Sequence, residues 1–299
     1  MGNSWWQIQI LGDPALEELI VWRLQDFGCG GAASQLQERS CLIQTYLPHD
    51  QFQQTDLEAL ALLLQQDAAG VGFASPTAEW HEIDEEDWAN SWKDHWHPQE
   101  IGDRLLINPA WLPLPETTDR IVLQLNPGVA FGTGTHATTQ LCLVALEQQL
   151  NNNAAVKEQV TIADIGCGSG ILSIAAILLG AHKAYALDLD PLAVDSARGS
   201  RTLNRLGPSQ MVVEQGSIEQ LQELLERPID GIVCNILAEV IINLVPQMSA
   251  ISHASTWGIL SGILLTQVQP VTATLAQHGW SVFASQRQQD WCCLNIRRR

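Results

Sequence analysis

A short glycine-rich segment is the clearest chemical signal in this 299-residue sequence. Residues 164–170 read Asp-Ile-Gly-Cys-Gly-Ser-Gly, between an apolar run that predicts a buried strand and an apolar run that predicts a helix. Glycines at such a junction let the backbone approach a ligand, and the helix start offers unpaired N–H groups. Ile171 stands where a dinucleotide fingerprint needs its third glycine, and the Lys-Ser/Thr pair of a triphosphate loop is missing. The segment predicts a ligand-binding loop, but neither a dehydrogenase nor a triphosphate hydrolase.

An acidic residue follows the next predicted strand. Asp188 ends the run 184–188, about 20 residues beyond the glycine loop. A carboxylate at this position can accept hydrogen bonds from both hydroxyls of a ribose. Asp190 and Pro191 suit the cap and first turn of a helix that follows. Together, the loop and Asp188 predict a ligand that carries adenosine.

A third candidate, Asn235, stands at the end of a later apolar strand in the sequence Cys-Asn-Ile-Leu-Ala. Ligands of open α/β sheets gather at the carboxyl ends of strands. An amide oxygen there could accept a hydrogen bond from a nucleophilic nitrogen and orient its lone pair. Alternatively, Asn235 is a turn residue that bonds its own backbone.

Residues 126–139 form a fourth candidate, a loop of glycines and hydroxyl residues that leads into a helix. The loop could cover a bound ligand, with Phe131 against it and Thr139 bonded to it. His136 is either a proton acceptor or a structural hydrogen-bond partner. The alternative for the whole loop is a helix entry capped by Thr133 or Thr135.

Alternating strands and helices must position these residues. From Arg104 onward, strands are predicted at 104–107, 121–125, 160–165, 184–187, 211–214, 229–234 and 258–260, with helical segments among them. This alternation predicts a parallel sheet covered on both faces. No helix separates the last two strands, 282–285 and 292–296, so we expect that pair to be antiparallel.

The N-terminal part has a different pattern. Residues 5–83 predict the order strand, helix, strand, strand, helix, strand, which is that of a small α+β ferredoxin-like unit. We therefore expect an N-terminal domain over 1–78, an acidic linker helix over 79–100 and a second domain over 101–299. Trp88, Trp92 and Trp96 would share one face of the linker helix. They either pack on a domain or form an acidic, aromatic wall that attracts a lysine-rich substrate.

The composition narrows the class of protein. Acidic residues number 33 against 15 basic ones, a net charge of −18, which disfavours nucleic acid and favours a basic partner. Seven cysteines without a C-x-x-C pair predict neither a disulfide framework nor a metal site. The absence of a signal-like segment or a long apolar run predicts a cytoplasmic protein without membrane contact.

Taken together, the motifs resemble those of known methyltransferases. The glycine loop with Asp188 is similar to class I S-adenosylmethionine-dependent methyltransferases, whose sheet is Rossmann-like with an antiparallel last strand. The complete set of motifs closely resembles that of the ribosomal protein L11 methyltransferases over roughly residues 88–265. The motifs are 126–139, 164–172, 188–190 with Pro191, 235–238 and 260–264. Asn126 and Ala137 depart from the Asp and Pro that the family pattern has at these positions.

This resemblance implies trimethylation of amino groups, both lysine side chains and the N-terminal α-amine, on ribosomal protein L11. It implies S-adenosylmethionine as the cofactor, no metal, an N-terminal substrate-recognition domain and a monomer. Asn235 would orient the amine and be the catalytic residue. The cofactor-binding residues would be Thr139, Gly166, Asp188 and Asn235, with Phe131, Gly132, Asp164 and Gly168 as neighbours.

Two other classes share part of this pattern. Nucleic-acid amino-methyltransferases and glutamine methyltransferases follow their asparagine with Pro-Pro and an aromatic residue, whereas Ile236, Leu237 and Ala238 follow here. A non-enzymatic scaffold that binds the cofactor and a ribosomal protein is the third possibility. The intact loop, Asp188 and Asn235 together favour an enzyme.

Overall fold

The computed structural model describes residues 4–29, 32–36, 40–84, 97–115, 117–126, 134, 136–151 and 160–299. The chain divides into two compact units, Met1–Trp96 and His97–Arg299. Within the described ranges, no helix has both the length and the apolar character required to cross a membrane.

The first unit is a four-stranded antiparallel sheet with two helices. In chain order its elements are β1 (Ser4–Gly12), α1 (Glu17–Phe27), β2 (Ala32–Leu36), β3 (Cys41–Pro48), α2 (Gln54–Gly70) and β4 (Thr77–Asp84). The strands lie in the order β2-β3-β1-β4. Alternate residues of β3 are buried because one face of the sheet packs on the helices.

The predicted domain boundaries both fall inside strands. β4 pairs with β1 as far as Asp84, so a boundary after residue 78 would divide it. The boundary at residue 100 falls within β5 (Gln99–Ile101), which belongs to the second unit. The segment 85–96, with the three tryptophans of the predicted linker helix, lies outside the described residues.

Two of the predicted strands do not join the main sheet of the second unit. β6 (Leu105–Pro109) and β7 (Ile121–Leu125) pair with each other in parallel and, with β5, form a separate three-stranded sheet. The expectation that they belong to one continuous alternation was wrong. The apolar pattern of a short strand records burial but not which sheet buries it.

The main sheet has seven strands in the order β10-β9-β8-β11-β12-β14-β13. Its strands are β8 (Thr161–Ile165), β9 (Lys183–Asp188), β10 (Met211–Gln215), β11 (Ile229–Asn235), β12 (Ser252–Leu264), β13 (Trp280–Gln288) and β14 (Trp291–Arg298). Pairing is parallel from β10 to β12, and β14 is antiparallel to both its neighbours. The predicted antiparallel final pair is therefore confirmed.

In the described parts of the chain, six α-helices cover the two faces of this sheet. They are α3 (Ala137–Asn151), α4 (Ile171–Leu178), α5 (Pro191–Leu203), α6 (Ile218–Leu224), α7 (Ala238–Ala250) and α8 (Val268–Gln277). Side chains of α3, α4 and α5 pack on one face and those of α6, α7 and α8 on the other. Successive strand residues, such as Ile162 and Ala163, enter opposite cores, which explains why these strands are apolar throughout.

Candidate functional site

A cavity of about 580 Å³ opens at the carboxyl ends of β8, β9 and β11. Open α/β sheets bind their ligands at this edge. The volume lies within the range of roughly 300–1,000 Å³ that is typical of small-molecule sites. The lining comes from the loops after these strands and after β10, from residues around the start of α3, from helix α7 and from strands β12 and β14. Residues far apart in the sequence therefore meet at one place.

The predicted glycine loop forms part of the cavity lining. Gly166 and Gly168 both line the cavity, with φ angles of +73° and +53°. A Cβ atom on Gly166 would lie only 2.4 Å from Cγ2 of Ile236, so a side chain has no space there. The N–H of Gly166 donates to the carbonyl of Leu187 at 2.8 Å, which ties the loop to the end of β9. The backbone itself is thus the surface that a ligand meets.

Asp188 ends β9 and lines the cavity beside this loop. Its Oδ2 accepts a hydrogen bond from the N–H of Gly168 at 2.8 Å, and its Oδ1 accepts one from the N–H of Asp190 at 3.1 Å. Each carboxylate oxygen has further lone pairs, so Asp188 can also accept from hydroxyls of a ligand. Asp190 instead caps α5, because its Oδ1 accepts from the N–H of Leu192 at 2.9 Å.

Asn235 ends β11 and lines the same cavity. Its Nδ2 donates to Oγ1 of Thr139 at 3.2 Å, across 96 positions of sequence. Its Oδ1 is buried and has no hydrogen-bond partner among the described residues. The amide nitrogen of this side chain thus bonds to α3 rather than to its own turn. An oriented amide with an unused acceptor is suited to an N–H donor on a ligand.

Thr139 supports Asn235 from the first turn of α3. Its side chain is buried, and the cavity lining includes its neighbour Thr138 but not Thr139 itself. The hydroxyl of Ser261 donates to the Thr138 carbonyl at 3.2 Å, which fixes this turn against β12. The structure therefore places Thr139 behind Asn235, where it orients the amide.

His136 precedes α3 and lines the cavity. Its Nδ1 accepts from the N–H of Thr138 at 3.3 Å and lies 2.7 Å from Oγ1 of the same residue. Since a backbone N–H donates to Nδ1, the neutral ring carries its proton on Nε2. Burial lowers the pKa of His136 and so favours the neutral form. These contacts favour a structural role over that of a proton acceptor.

Asp164 lies on β8 and is fully buried; it is not part of the cavity lining. Its Oδ2 accepts from the N–H and the hydroxyl of Ser173 at 3.1 and 2.8 Å, while Oδ1 has no partner within the described parts of the chain. Burial raises the pKa of Asp164 to about 7, against the opposing effect of the Ser173 hydrogen bonds. Asp164 therefore anchors α4 to β8 close to the glycine loop.

Two predicted neighbours, Phe131 and Gly132, lie outside the described residues. Conversely, Gly262 and Trp291 line the cavity although neither was assigned a role from the sequence. Gly262 belongs to a segment that carried the family resemblance, and a Cβ on it would lie 2.2 Å from the Ile236 carbonyl oxygen. No pattern in the sequence around Trp291 indicates a place in the site, because it is the pairing of β14 with β12 that brings this residue to the edge of the sheet.

Comparisons with known proteins agree with this geometry. Residues 4–299 match the family model described as ribosomal protein L11 methyltransferase (PrmA). The chain is 58% identical over 298 residues to the ribosomal protein L11 methyltransferase of Cyanothece sp., covering 100% of both chains. It is 49% identical over 297 residues to that of Thermosynechococcus vestitus, covering 99% of this chain and 98% of the relative.

A solved structure of a ribosomal protein L11 methylase is also similar to this chain in fold. The ribosomal protein L11 methylase of Lactobacillus delbrueckii subsp. bulgaricus is similar with a TM-score of 0.59 and 32% sequence identity. The match covers 68% of this chain and 100% of that one.

Proposed function

Because the chain belongs to the ribosomal protein L11 methyltransferase family, we propose that it methylates amino groups of ribosomal protein L11. The targets are lysine side chains and the N-terminal α-amine, carried to the trimethyl state. The observation that best supports this reaction is the buried Oδ1 of Asn235 at the edge of the cavity, for which no described residue is a hydrogen-bond partner. An amine nitrogen is the kind of donor that this oxygen lacks.

The family is one of S-adenosylmethionine-dependent enzymes, and the second unit has an α/β class I methyltransferase-like fold with a mixed sheet. The cavity residues fit this cofactor. Asp188 can accept from the ribose hydroxyls, and the backbone of Gly166 and Gly168 forms a surface without side chains. No lysine or arginine occurs among the described lining residues, which suits a sulfonium cation better than a phosphate. When bound, S-adenosylmethionine supplies a methyl group on a positively charged sulfur.

The attacking amine must be neutral, whereas a free lysine has a pKa near 10.4. Leu237, Val240 and Leu244 give the cavity an apolar side, and burial against such a surface disfavours the ammonium form. Asn235 Oδ1 would accept an N–H of the neutral amine and direct its lone pair. His136 takes no proton in this scheme, and the proton leaves to water.

The N-terminal unit supports the choice of partner. We propose that its β-α-β-β-α-β order and β2-β3-β1-β4 sheet make it a ferredoxin-like substrate-recognition domain. The net charge of −18 favours encounter with a basic ribosomal protein and opposes nucleic acid. The enzyme would act as a monomer in the cytoplasm.

Intact-mass spectrometry tests the proposal. The protein is incubated with S-adenosylmethionine and unmodified large-subunit ribosomal proteins. We expect a gain of three methyl masses, or multiples of three, on ribosomal protein L11 alone. A gain on ribosomal RNA would favour a nucleic-acid methyltransferase instead. Bound cofactor without any transfer would favour a scaffold.

A further inference from the structure

The cavity lining contains one tryptophan, Trp291, from the start of β14. Trp291 packs against the core under α3, α4 and α5, on the face of the sheet opposite to α7, which contributes Val240 and Leu244 to the lining. Apart from the imidazole of His136, it is the single ring among the described lining residues. An inference from this placement rests on the function proposed above.

Contacts place Trp291 beside the machinery that orients Asn235. Its ring centroid lies 5.1 Å from that of His136, with an angle of 69° between the planes. His136 immediately precedes the helical turn whose Thr139 holds the Asn235 amide. Along β12, Asn235 pairs with Ser261 and Trp291 pairs with Leu264. Leu264 follows Ser261 along β12, beyond a register shift between Leu260 and Ile263, so Trp291 lies farther out along the sheet than Asn235.

The chemistry of successive methylation changes what an amine can offer to Asn235. A neutral primary amine has two N–H donors, a methylated one has one, and a dimethylated one has none. Asn235 Oδ1 accepts hydrogen bonds only. It can therefore hold the nitrogen for the first and second transfers but has nothing to accept from before the third.

Each transfer follows the same balance of bonds. The nitrogen lone pair forms a bond to the methyl carbon as the carbon–sulfur bond breaks, and that bonding pair stays on sulfur. After the first and second transfers the nitrogen loses a proton to water and regains its lone pair. After the third it is a quaternary ammonium with no proton to lose.

We propose that Trp291 holds the dimethylated amine for the third transfer. N-methyl groups are apolar, and positive charge develops on the neutral dimethylated nitrogen as its lone pair forms the third bond to a methyl carbon. The face of an indole attracts such alkylated ammonium groups more strongly than other aromatic rings do. Trp291 thus supplies the contact that Asn235 loses as the nitrogen is alkylated. It acts as a specificity-determining residue for the degree of methylation, and not as an acid or base.

The test compares Trp291→Leu with Trp291→Phe, in the full-length protein with ribosomal protein L11 and S-adenosylmethionine. Intact masses are recorded over time to give a rate for each transfer. We expect Trp291→Leu to slow the third transfer about tenfold more than it slows the first, so that dimethylated product accumulates. Trp291→Phe retains an aromatic face and should still complete trimethylation.

Phe283→Leu is the matched control. Phe283 is an exposed aromatic residue of β13 that lies under the guanidinium of Arg297, away from the cavity lining. It should leave all three rates unchanged. The first-transfer rate serves as an internal check that each variant is folded. If Trp291→Leu melts before the assay temperature, Trp291→Met replaces it, because methionine adapts to irregular spaces.

A second measurement does not depend on turnover. Titration with Nα-acetyl-Nε-trimethyllysine amide should show about tenfold weaker binding to Trp291→Leu than to the wild type, with unmodified acetyl-lysine amide as reference. The role of Trp291 would be overturned if Trp291→Leu and the wild type had equal third-transfer rates, or if the wild type stopped at the dimethyl product. Either result would leave the proposed function intact. A wild type that transfers no methyl group at all would overturn the proposed function itself.

Discussion

Asp164 and Asn235 lie on neighbouring strands and share an unusual property. Each is a polar side chain with one buried oxygen that has no hydrogen-bond partner in the described parts of the chain. Asp164 is fixed by Ser173 away from the cavity lining, whereas Asn235 is fixed by Thr139 and lines the cavity. The same lack of a partner therefore occurs in two different surroundings.

The difference shows what a buried, unpaired oxygen can mean. A carboxyl group can relieve its burial by taking up a proton, and the pKa of Asp164 is raised to about 7. An amide cannot be protonated in this range, and no described residue donates to Oδ1 of Asn235, so an N–H of a bound ligand is a suitable donor. We infer that changes near Asn235 remove chemistry at little cost in stability, and that changes at Asp164 do the reverse.

The largest effect is expected for Asn235→Ala. Loss of an oriented acceptor at the reacting nitrogen should lower kcat about 10²–10³-fold. Single-turnover assays with ribosomal protein L11 measure this directly. Asn108→Ala is the matched control, because Asn108 is buried, has an unpartnered Oδ1 among the described residues and lies outside the cavity lining. Undiminished turnover in Asn235→Ala would refute the assigned role.

Asp188→Ala should weaken S-adenosylmethionine binding about 100-fold, because hydrogen bonds to a charged acceptor contribute roughly 1.5–3 kcal/mol each. Isothermal titration calorimetry gives the affinity. In the control Asp190→Ala the α5 cap is lost, so stability should fall by about 1 kcal/mol while the affinity is retained. Equal affinities for both variants would show that Asp188 does not contact the ribose.

A smaller effect is expected for Thr139→Val. Valine fills the space of threonine but leaves the Nδ2 of Asn235 without its acceptor. The amide can then rotate, and we expect kcat to fall about tenfold, the equivalent of one ordinary hydrogen bond. Thr139→Ser retains the hydroxyl and should recover most of the activity. If serine and valine behaved alike, packing rather than the hydrogen bond would be responsible.

Asp164→Asn should change turnover least, by less than about threefold, but should alter the dependence of stability on pH. The pKa is near 3.9 in the unfolded chain and about 7 in the folded one. Between these values the folded state binds more protons, so the free energy of unfolding of the wild type falls as the pH rises. Urea midpoints from about pH 4 to pH 8 should show this slope in the wild type and a weaker one in Asp164→Asn. Identical slopes would mean that Asp164 is ionised when folded.

The identities of the residues that carry the chemistry could be predicted from sequence patterns. Most of the contacts that these residues make could not. The glycine loop, Asp188 and Asn235 each follow a strand, and parallel strands bring their carboxyl ends to one edge. By contrast, the Asn235–Thr139 hydrogen bond joins elements that only the packing of α3 brings together. The indirect role of Thr139 followed from that packing, whereas the tautomer of His136 follows from its local hydrogen bond with the N–H of Thr138.

Strand assignment failed where pairing rather than polarity decides. β6 and β7 are as apolar as the main strands, yet they pair with β5 in a separate sheet. Trp291 reached the cavity through the register of β14 with β12, which no local pattern specifies. Burial can be predicted from composition, but long-range pairing needs the whole chain.

The strand order of the main sheet also constrains how the chain folds. β14 lies between β12 and β13, so β13 has no place in the sheet until β14 has been synthesised. Until then β12, whose central residues are buried in the native sheet, presents an open edge that another strand could pair with. β13 can join the sheet only through β14, either after β14 has paired with β12 or together with it as a hairpin. The strands that carry the glycine loop, Asp188 and Asn235 precede this hairpin in the chain. These parts of the site can therefore form before Trp291 of β14 completes the cavity lining.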